Sequence, residues 1–211
     1  MNKIEKTKTY LMQIFNDSEY LKDRPYEKAY RLDHTLRVGH WGKYIAENEG
    51  LDVEALVVGC LLHDASYIEE MPTDEIRYNH GRRSAEIVRP FVETLGFDFD
   101  TTNDILYGIA IHVDNESNFD WHRSVLAESI SDADNIDRFD VYRIYESLEY
   151  EKFSQITNDE KIAYCEKRIA RAQKNLEINF ATDTATKAFH EELHTMKTFF
   201  ERMLAQCRRT V

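Results

Sequence analysis

Proline and glycine are both scarce in this chain, with 3 and 7 of its 211 residues. Few residues therefore interrupt regular structure, and no alternating apolar and polar pattern is long enough to indicate β-strands. Apolar residues recur at helical spacing along most of the chain, which predicts an all-α fold. We expect helices over residues 2–16, 27–48, 53–63, 79–95, 102–113, 123–150, 159–179 and 183–206, and a loop over residues 66–77.

Cysteine is also rare, and long apolar runs are missing. Cys60, Cys165 and Cys207 form no CxxC pair, so the sequence predicts neither a disulfide scaffold nor a cysteine–zinc site. No stretch approaches the ~18–20 apolar residues of a membrane span, and residues 1–6 lack the apolar segment of a signal peptide. The sequence therefore predicts a soluble cytoplasmic protein with no membrane partner.

Basic residues are outnumbered: 27 Lys and Arg against 39 Asp and Glu give a formal net charge of −12. A chain of this charge repels the phosphates of polymeric nucleic acid, which argues against that partner. A small phosphorylated substrate is compatible, because a local cluster of cations can override the overall field. Hydrophobic residues make up 42% of the chain, enough for a real core, and we expect a single domain over residues 1–211.

Residues 55–62 form the most apolar stretch of the chain, and His63 and Asp64 follow it directly. A helix that is apolar on every side is a buried helix, so these two side chains are expected at a core-facing end. An ionised Asp64 is disfavoured there by burial and by the negative end of the helix dipole. A metal ion would neutralise it, since adjacent His and Asp supply nitrogen and oxygen ligands. Taken alone, the dipeptide is equally compatible with a buried His–Asp pair satisfied by hydrogen bonds or by an arginine.

Four other predicted helices bring a histidine or an aspartate to their apolar faces. These residues are His34, His80, His112 and Asp134. Any one of them alone is more often a buried structural residue than a ligand, but six inward residues in one domain predict a metal site. Asp134 lies within the apolar stripe of its helix, whereas Asp132 is expected to point away. Asp137 is a reserve ligand, or an acceptor for a ligand histidine.

The remaining histidines and the last helix are given other roles. His40 projects away from the buried face of its helix, and His190 and His194 lie off the apolar stripe of the last helix, where we expect a solvated pair. That stripe, which includes Phe189 and Phe200, is typical of packing. The packing partner is either the rest of the chain or a second copy, in a homodimer through the C-terminal helices.

The order and spacing of these residues resemble the H…HD…D pattern of the HD-domain metal-dependent phosphohydrolase superfamily. The resemblance covers residues 30–137 and rests on His34 in His-Thr-Leu-Arg-Val, on Leu-Leu-His63-Asp64, and on Asp134 in Asp-Ala-Asp-Asn-Ile-Asp. His80 and His112 match the two extra histidines of members that bind two metals, among them the HD-type dinucleoside tetraphosphatases. The Gly-Tyr-Pro motif of the cyclic-dinucleotide phosphodiesterases is absent, which argues against that substrate.

The resemblance implies a fold and a set of ligands. The fold is an HD-domain helical bundle with additional N- and C-terminal helices, its core over about residues 28–140 and its C-terminal helical extension over about residues 151–211. The ligands of one divalent metal would be His34, His63, Asp64 and Asp134. Asp64 would bridge to a second metal held by His80 and His112. Mixed nitrogen and oxygen ligation suits one or two ions of Mn, Fe, Co, Ni or Zn.

The function implied by the resemblance is hydrolysis. Two such cations can share a water, lower its pKa and present hydroxide to phosphorus, which gives Asp64, His80 and His112 a catalytic role. We therefore predict cleavage of a phosphate ester or anhydride of a small molecule, with a nucleotide as the first choice. The same ligand framework serves di-iron oxygenases that resemble inositol oxygenase, and a metal-binding regulatory module without turnover is a third interpretation.

Three arginines lie about one turn after a predicted ligand on the same helix: Arg37 after His34, Arg83 after His80, and Arg138 after Asp134. A guanidinium fork suits phosphate oxygens, so these are the candidate substrate contacts. For each arginine, a position on the surface or an ion pair with an acidic side chain of this chain is an equally good explanation. Three aromatic residues are candidates for stacking on a base: Trp41, Tyr67 and Trp121. Packing in the core is the simpler role for each of them.

Overall fold

The computed structural model describes residues 2–209, and within this range the regular structure consists of α-helices and one 3₁₀ turn, with no strand. The all-α class predicted from the sequence is confirmed. The helices are α1 Lys3–Asp17, α2 Pro25–Glu49, α3 Val53–Leu62, α4 Asp74–Tyr78, α5 His80–Glu93, α6 Phe99–Ile111, α7 Val125–Asp137, α8 Val141–Tyr150, α9 Asn158–Asn175 and α10 Asp183–Arg208. The 3₁₀ turn, Ala65–Ile68, lies between α3 and α4.

Polar side chains and special backbone residues set several helix ends. Asp52 accepts a backbone N–H at the start of α3, and Thr157 forms a capping box with Glu160 at the start of α9. Such caps satisfy N–H groups that have no partner within the helix. Helix α2 begins at Pro25, whose missing N–H costs nothing there, and ends at Gly50, which takes the left-handed conformation with φ 69°.

Two predicted segments were wrong in their boundaries. The single helix expected over residues 123–150 is two helices, because α7 ends at Asp137 and Asp140 starts α8 by accepting the N–H of Val141. The loop expected over residues 66–77 contains most of the 3₁₀ turn and most of α4, whose first turn is capped by Thr73. A short polar helix of this kind carries no apolar periodicity from which it could be predicted.

The described chain forms two compact units that are divided between Asp134 and Asn135. The first unit is organised around α3, which packs against α1, α2 and α6. All residues over 55–62 are buried, as the absence of any polar side chain in this stretch predicts. Helix α3 ends within this core, and it therefore delivers His63 and Asp64 to the interior of the unit, where both are buried.

The second unit begins at Asn135 and is built on α9 and α10, which pack along each other as a hairpin. Helix α8 also contacts α10, and the ring of Phe189 packs edge-on against that of Phe139. The apolar stripe of α10, which includes Leu193 and Phe200, is buried. Packing within the chain accounts for this stripe, and the homodimer stays a prediction. Within residues 2–209 no helix is both long and apolar enough to cross a membrane.

Candidate metal centre

The first unit brings the six predicted ligands together from five helices. His34 lies within α2, His63 and Asp64 follow α3, His80 opens α5, His112 follows α6, and Asp134 lies near the end of α7. Five of the six are buried, and the side chain of His80 is 13% exposed. Four of the six side chains stand at helix ends, where the chain leaves the core and a polar group can be placed without interrupting the apolar face.

Three of the histidines are oriented in the same way, by their own backbone. The Nδ1–H of His63 donates to the carbonyl of Cys60 at 2.8 Å, and that of His112 donates to the carbonyl of Ile109 at 2.7 Å. His80 makes the equivalent bond to the carbonyl three residues before it. Because a carbonyl can only accept, Nδ1 carries the proton in each ring and Nε2 carries a lone pair. Each Nε2 lies within 3.6 Å of a carboxylate oxygen of Asp64.

Asp64 is the central carboxylate of the cluster. Its Oδ1 lies 3.1 Å from Nε2 of His80 and 3.6 Å from Nε2 of both His63 and His112. Its Oδ2 lies 3.7 Å from Nε2 of His34. The two oxygens of Asp64 therefore face different histidines, which is the arrangement that a bridging ligand needs.

Asp134 contacts one side of the cluster. Its Oδ1 lies 3.2 Å from Nε2 of His34 and 3.8 Å from Nε2 of His63. Asp132, which we expected to point away from the core, is buried as well, at 7% exposure, so that expectation was wrong. Helix α7 is enclosed on more than one side, and burial alone does not distinguish the two aspartates. Among the described residues, the groups of ligand atoms that lie within 4.8 Å of one another include Asp134 and not Asp132.

Two features of the cluster would be satisfied by a positive ion. Nε2 of His80 and Nε2 of His112 lie 3.0 Å apart, and both carry lone pairs because both Nδ1 atoms donate. Two lone pairs at this distance repel each other unless a proton or a metal ion lies between them. Nε2 of His63 is buried and has no hydrogen-bond partner, which is costly for a polar atom that nothing else satisfies.

The donor atoms fit a divalent transition metal. Three overlapping groups of three ligand atoms each lie within 4.8 Å of one another: His34, His63 and Asp64; His63, His112 and Asp134; and Asp64, His80 and His112. Imidazole nitrogen combined with carboxylate oxygen is the ligand set of Mn, Fe, Co, Ni and Zn, whereas Ca prefers oxygen alone. The orphaned Nε2 of His63 and the facing lone pairs are the atoms that such an ion would satisfy.

The electrostatics of the cluster favour the ligand forms of His63 and Asp64, whereas the effect of burial on His80 is outweighed by the hydrogen bond and charge of Asp64, which raise the pKa of His80. Burial lowers the pKa of His63 to about 4, so its imidazole is neutral near pH 7. Burial by itself would raise the pKa of Asp64, but His63, His112 and His80 around it more than offset this and hold its pKa well below the ordinary value. Neutral imidazoles and an ionised carboxylate are the protonation states that bind metals.

A small network of serines fixes the start of α5. The hydroxyl of Ser66 donates to the carbonyl of His80 at 2.9 Å, and the hydroxyl of Ser84 donates to Ser66 Oγ at the same distance. The backbone N–H of Ser66 donates in turn to Ser84 Oγ at 3.0 Å. These bonds tie α5 to the 3₁₀ turn directly after Asp64, and they therefore hold His80 in register with the carboxylate.

Arg31 is a neighbour of the centre that the sequence reasoning missed. Its Nη1 lies 3.4 Å from Oδ2 of Asp64, and its Cζ lies 3.2 Å from the centroid of the Tyr67 ring. The Tyr67 ring lies 5.0 Å from the ring of His80. Arg31 precedes His34 by three residues, so it shares the face of α2 that carries the ligand. That spacing was a usable signal, but Arg37 on the other side of His34 satisfies it equally.

The three arginines predicted as substrate contacts have different surroundings. Arg83 is engaged by Glu69, at 2.6 and 2.9 Å, and by Glu86 at 3.3 Å. Arg37 is partly buried on α2, and Arg138 is exposed and belongs to the second unit. The substrate contacts of all three stay predictions.

The other aromatic and titratable candidates are accounted for by local contacts. Trp41 packs edge-on against Tyr44, and Trp121 packs against Phe99. His40 and His194 are exposed, and the ring of His190 donates to the carbonyl of Ile178. Asp137 is buried and belongs to the second unit, and its role as a reserve ligand stays a prediction.

The fold and the cluster together define an all-α protein with a histidine–aspartate centre suited to a divalent metal. Residues 31–139, just over half of the chain, match the HD domain family. A solved structure described as a predicted HD superfamily hydrolase, from an uncultured Thermotogales bacterium, has a similar fold. It is 21% identical in sequence, with 97% of this chain and 93% of that chain covered and a TM-score of 0.67. No curated protein matched the chain. The chain belongs to the HD domain family.

Proposed function

We propose that this protein is a metal-dependent phosphohydrolase that cleaves a phosphate ester or anhydride of a small molecule, with a nucleotide as the first candidate. The observation that carries the proposal is the pair of facing lone pairs on His80 and His112 beside the ionised Asp64. Membership of the HD domain family supports the same function, as does the description of the Thermotogales protein as a predicted HD superfamily hydrolase.

We assign four ligands to one divalent ion: His34, His63, Asp64 and Asp134. A second ion would be held by Asp64, His80 and His112. When bound, such ions lower the pKa of a water and neutralise the charge that develops on phosphoryl oxygens. Asp64 would be the ligand that both ions share, which is supported by its two oxygens, since they face different histidines.

The chain's own groups supply orientation and charge around the reacting phosphate. The backbone carbonyls that accept from Nδ1 fix the tautomers of His63, His80 and His112 before any ligand arrives. Arg31 stands beside Asp64, where its guanidinium can donate to phosphoryl oxygens and orient the ester. Because the cluster is buried, each of these charge interactions is stronger than it would be in water.

The test is an assay of metal-stripped protein that has been reloaded separately with Mn, Fe, Co, Ni or Zn. Substrates are p-nitrophenyl phosphate, its diester, and nucleoside mono-, di- and triphosphates. We expect hydrolysis in at least one loaded form and none after chelation, with elemental analysis giving one or two ions per chain. Fully loaded protein that hydrolyses no member of the panel would overturn the proposal.

The same preparations separate the competing functions. Iron-loaded protein that consumes O₂ and gives a mixed-valent iron signal would identify an oxygenase, since the cluster also suits iron. Loaded protein that neither hydrolyses esters nor consumes O₂ would be a metal-binding regulatory module.

A further inference from the structure

A cavity of about 260 Å³ lies in the first unit beside the candidate metal centre. Its wall includes Tyr20, Glu27, Arg31, Tyr67 and Arg77. The volume exceeds that of several water molecules, at about 30 Å³ each, but is small for a drug-sized ligand. The cavity therefore suits one compact organic group, of about the size of a sugar.

Three of its residues connect the cavity to the candidate metal ligands. Arg31 lines the cavity and reaches Asp64 with its Nη1 at 3.4 Å, and Tyr67 lines it while its ring lies 5.0 Å from that of His80. The side chain of Arg77 also lines the cavity, while its backbone carbonyl accepts from Nδ1 of His80. A phosphate held at the centre would therefore have its organic group directed at this cavity.

Two carboxylates line the cavity, and Glu27 is held by longer contacts than Glu69. Both oxygens of Glu69 are engaged by the guanidinium of Arg83. Glu27 accepts from the hydroxyl of Tyr20 at 3.2 Å and lies 3.9 Å from Arg24. A carboxylate has about four acceptor sites, so Glu27 can receive more donors than these.

The charge of Glu27 favours hydrogen-bond donors in the cavity. Arg31 and Arg77 also line the cavity and balance the carboxylate charges, so Glu27 does not exclude an anion from it, but a hydroxyl or amino group placed against Glu27 would donate to its carboxylate. Tyr20 keeps its proton, because burial and then Glu27 raise the pKa of its hydroxyl. The hydroxyl of Tyr20 thus remains a hydrogen-bond donor, and this hydrogen bond orients the carboxylate of Glu27.

We propose that this cavity binds the organic group of the substrate, and that Glu27, oriented by Tyr20, accepts a hydrogen bond from a hydroxyl or amino group on it. The substrate is then a phosphate ester of a hydroxylated compound, such as a sugar phosphate or nucleoside monophosphate. This inference rests on the proposed phosphohydrolase function, whose substrate class it narrows.

The test compares substrates that have a hydroxylated group with one that has none. We would measure kcat/KM of the metal-loaded protein for ribose 5-phosphate, glucose 6-phosphate and AMP, each divided by kcat/KM for p-nitrophenyl phosphate. We expect Glu27→Gln to lower this ratio about 10- to 100-fold for the preferred ester, since loss of a hydrogen bond to a charged group costs about 1.5–3 kcal/mol. Tyr20→Phe should lower the ratio less, because Glu27 keeps its charge.

The matched control is Glu19→Gln, which makes the same charge change at a side chain that is 89% exposed. Equal ratios in Glu27→Gln and Glu19→Gln would overturn the inference, as would a preference of the native protein for p-nitrophenyl phosphate over all three hydroxylated esters. If no ester is hydrolysed at all, binding of the same three esters is measured by calorimetry, which tests the cavity assignment separately from hydrolysis. Binding that Glu27→Gln weakens at least tenfold would keep the cavity assignment while the hydrolase proposal fails, and absence of binding would overturn both.

Discussion

At the scale of single residues, the centre depends on which nitrogen of each histidine carries the proton. The Nδ1 bonds of His63, His80 and His112 to backbone carbonyls leave every Nε2 as an acceptor inside a buried cluster. Such an arrangement is unfavourable without a cation, because the acceptor Nε2 of His80 lies only 3.0 Å from the acceptor Nε2 of His112. The folded chain thus holds these lone pairs in place for a positive ion.

His63→Ala is the first prediction at this scale. Removing the buried Nε2 that has no partner should lower the metal content per chain and lower hydrolysis by about 100-fold or more, since even loss of a group that only orients a ligand costs about 10- to 100-fold. Elemental analysis after dialysis measures the metal. His40→Ala, which changes an exposed histidine on α2, should keep full metal content. His63→Ala that retained all of its metal would contradict the assigned ligand set.

Arg31 gives the second prediction. Arg31→Ala should lower kcat/KM about 10- to 100-fold without loss of metal, because the guanidinium beside Asp64 is placed to bind a phosphoryl oxygen. Arg83→Ala should have a smaller effect, since its guanidinium is already engaged by Glu69. Steady-state kinetics and metal analysis of both variants measure this. A larger loss of kcat/KM in Arg83→Ala than in Arg31→Ala would indicate that Arg83, as predicted from the sequence, contacts the phosphate.

The sequence could predict the ligands better than their neighbours. His34 and Asp134 lie on apolar stripes, where a polar side chain is conspicuous, and that signal is local. Arg31 and Arg37 both lie one turn from His34, and only the position of Asp64, which another helix supplies, distinguishes them. Such a choice depends on tertiary packing, which a periodicity along one helix does not contain.

At the scale of helices, the approach of α5 to α6 brings His80 and His112 together. Gly81 follows His80 directly, and a Cβ added there would lie 2.6 Å from the carbonyl oxygen of Ala110 and 2.9 Å from that of Ile109. Both atoms are backbone, so the two helices would have to move apart. The absence of a side chain at position 81 therefore allows the 3.0 Å separation of the two imidazoles.

Gly81→Ala is the prediction that follows. We expect a loss of about 1–3 kcal/mol in the free energy of unfolding and a lower metal content per chain, because His80 moves away from His112. The control is Gly96→Ala, at φ 74° with open space around it, which should cost about 1 kcal/mol through strain alone and leave the metal content unchanged. Thermal unfolding and elemental analysis measure both, and equal metal contents in the two variants would contradict the packing argument.

It was easier to predict from the sequence which segments are helical than to predict the residues at which each helix begins and ends. The apolar stretch over residues 55–62 is a buried helix as predicted, because a run without polar side chains is buried on every side and the helical spacing along the rest of the chain favours a helix over a strand. The break between α7 and α8 was missed, because Asp140 reads equally as an exposed helical residue and as an N-cap. Only the backbone conformation decides between these, since a short acidic side chain serves either role.

At the scale of the whole molecule, the acidic character of the chain is confined to one part of it. Residues 1–134 contain 26 acidic and 14 basic side chains, whereas residues 135–211 contain 13 of each. The candidate metal centre therefore lies in the unit that carries all of the net negative charge. Local cations, such as Arg31, Arg77 and any ions that the cluster binds, would attract an anionic substrate there, and we therefore expect substrate binding as well as chemistry to depend on metal loading.

The stability of the molecule should depend on pH through the second unit. Burial, followed by the charge and hydrogen bond of Asp140 and the charge of Glu191, raises the pKa of Glu192 to about 7. A carboxyl whose pKa is raised on folding stabilises the fold fully below its unfolded pKa, near 4.5, and this contribution is lost as pH rises through 7. Between pH 5 and pH 8 the native chain therefore loses stability at this position.

Glu192→Gln removes that dependence, because glutamine stays neutral at every pH. We expect the variant to match the native chain at pH 4.5 and to exceed it at pH 8 by about 1 kcal/mol, or about 2–4 °C in Tm, with partial exposure of the side chain limiting the gain. Thermal unfolding across this pH range measures the difference. Glu191→Gln, at an exposed neighbour, removes only the smallest of the causes of this shift and should therefore give a smaller change with the same dependence on pH. A Glu192→Gln curve parallel to that of the native chain would show that Glu192 is already ionised at pH 5, and that its hydrogen bond with Asp140 does not hold a proton.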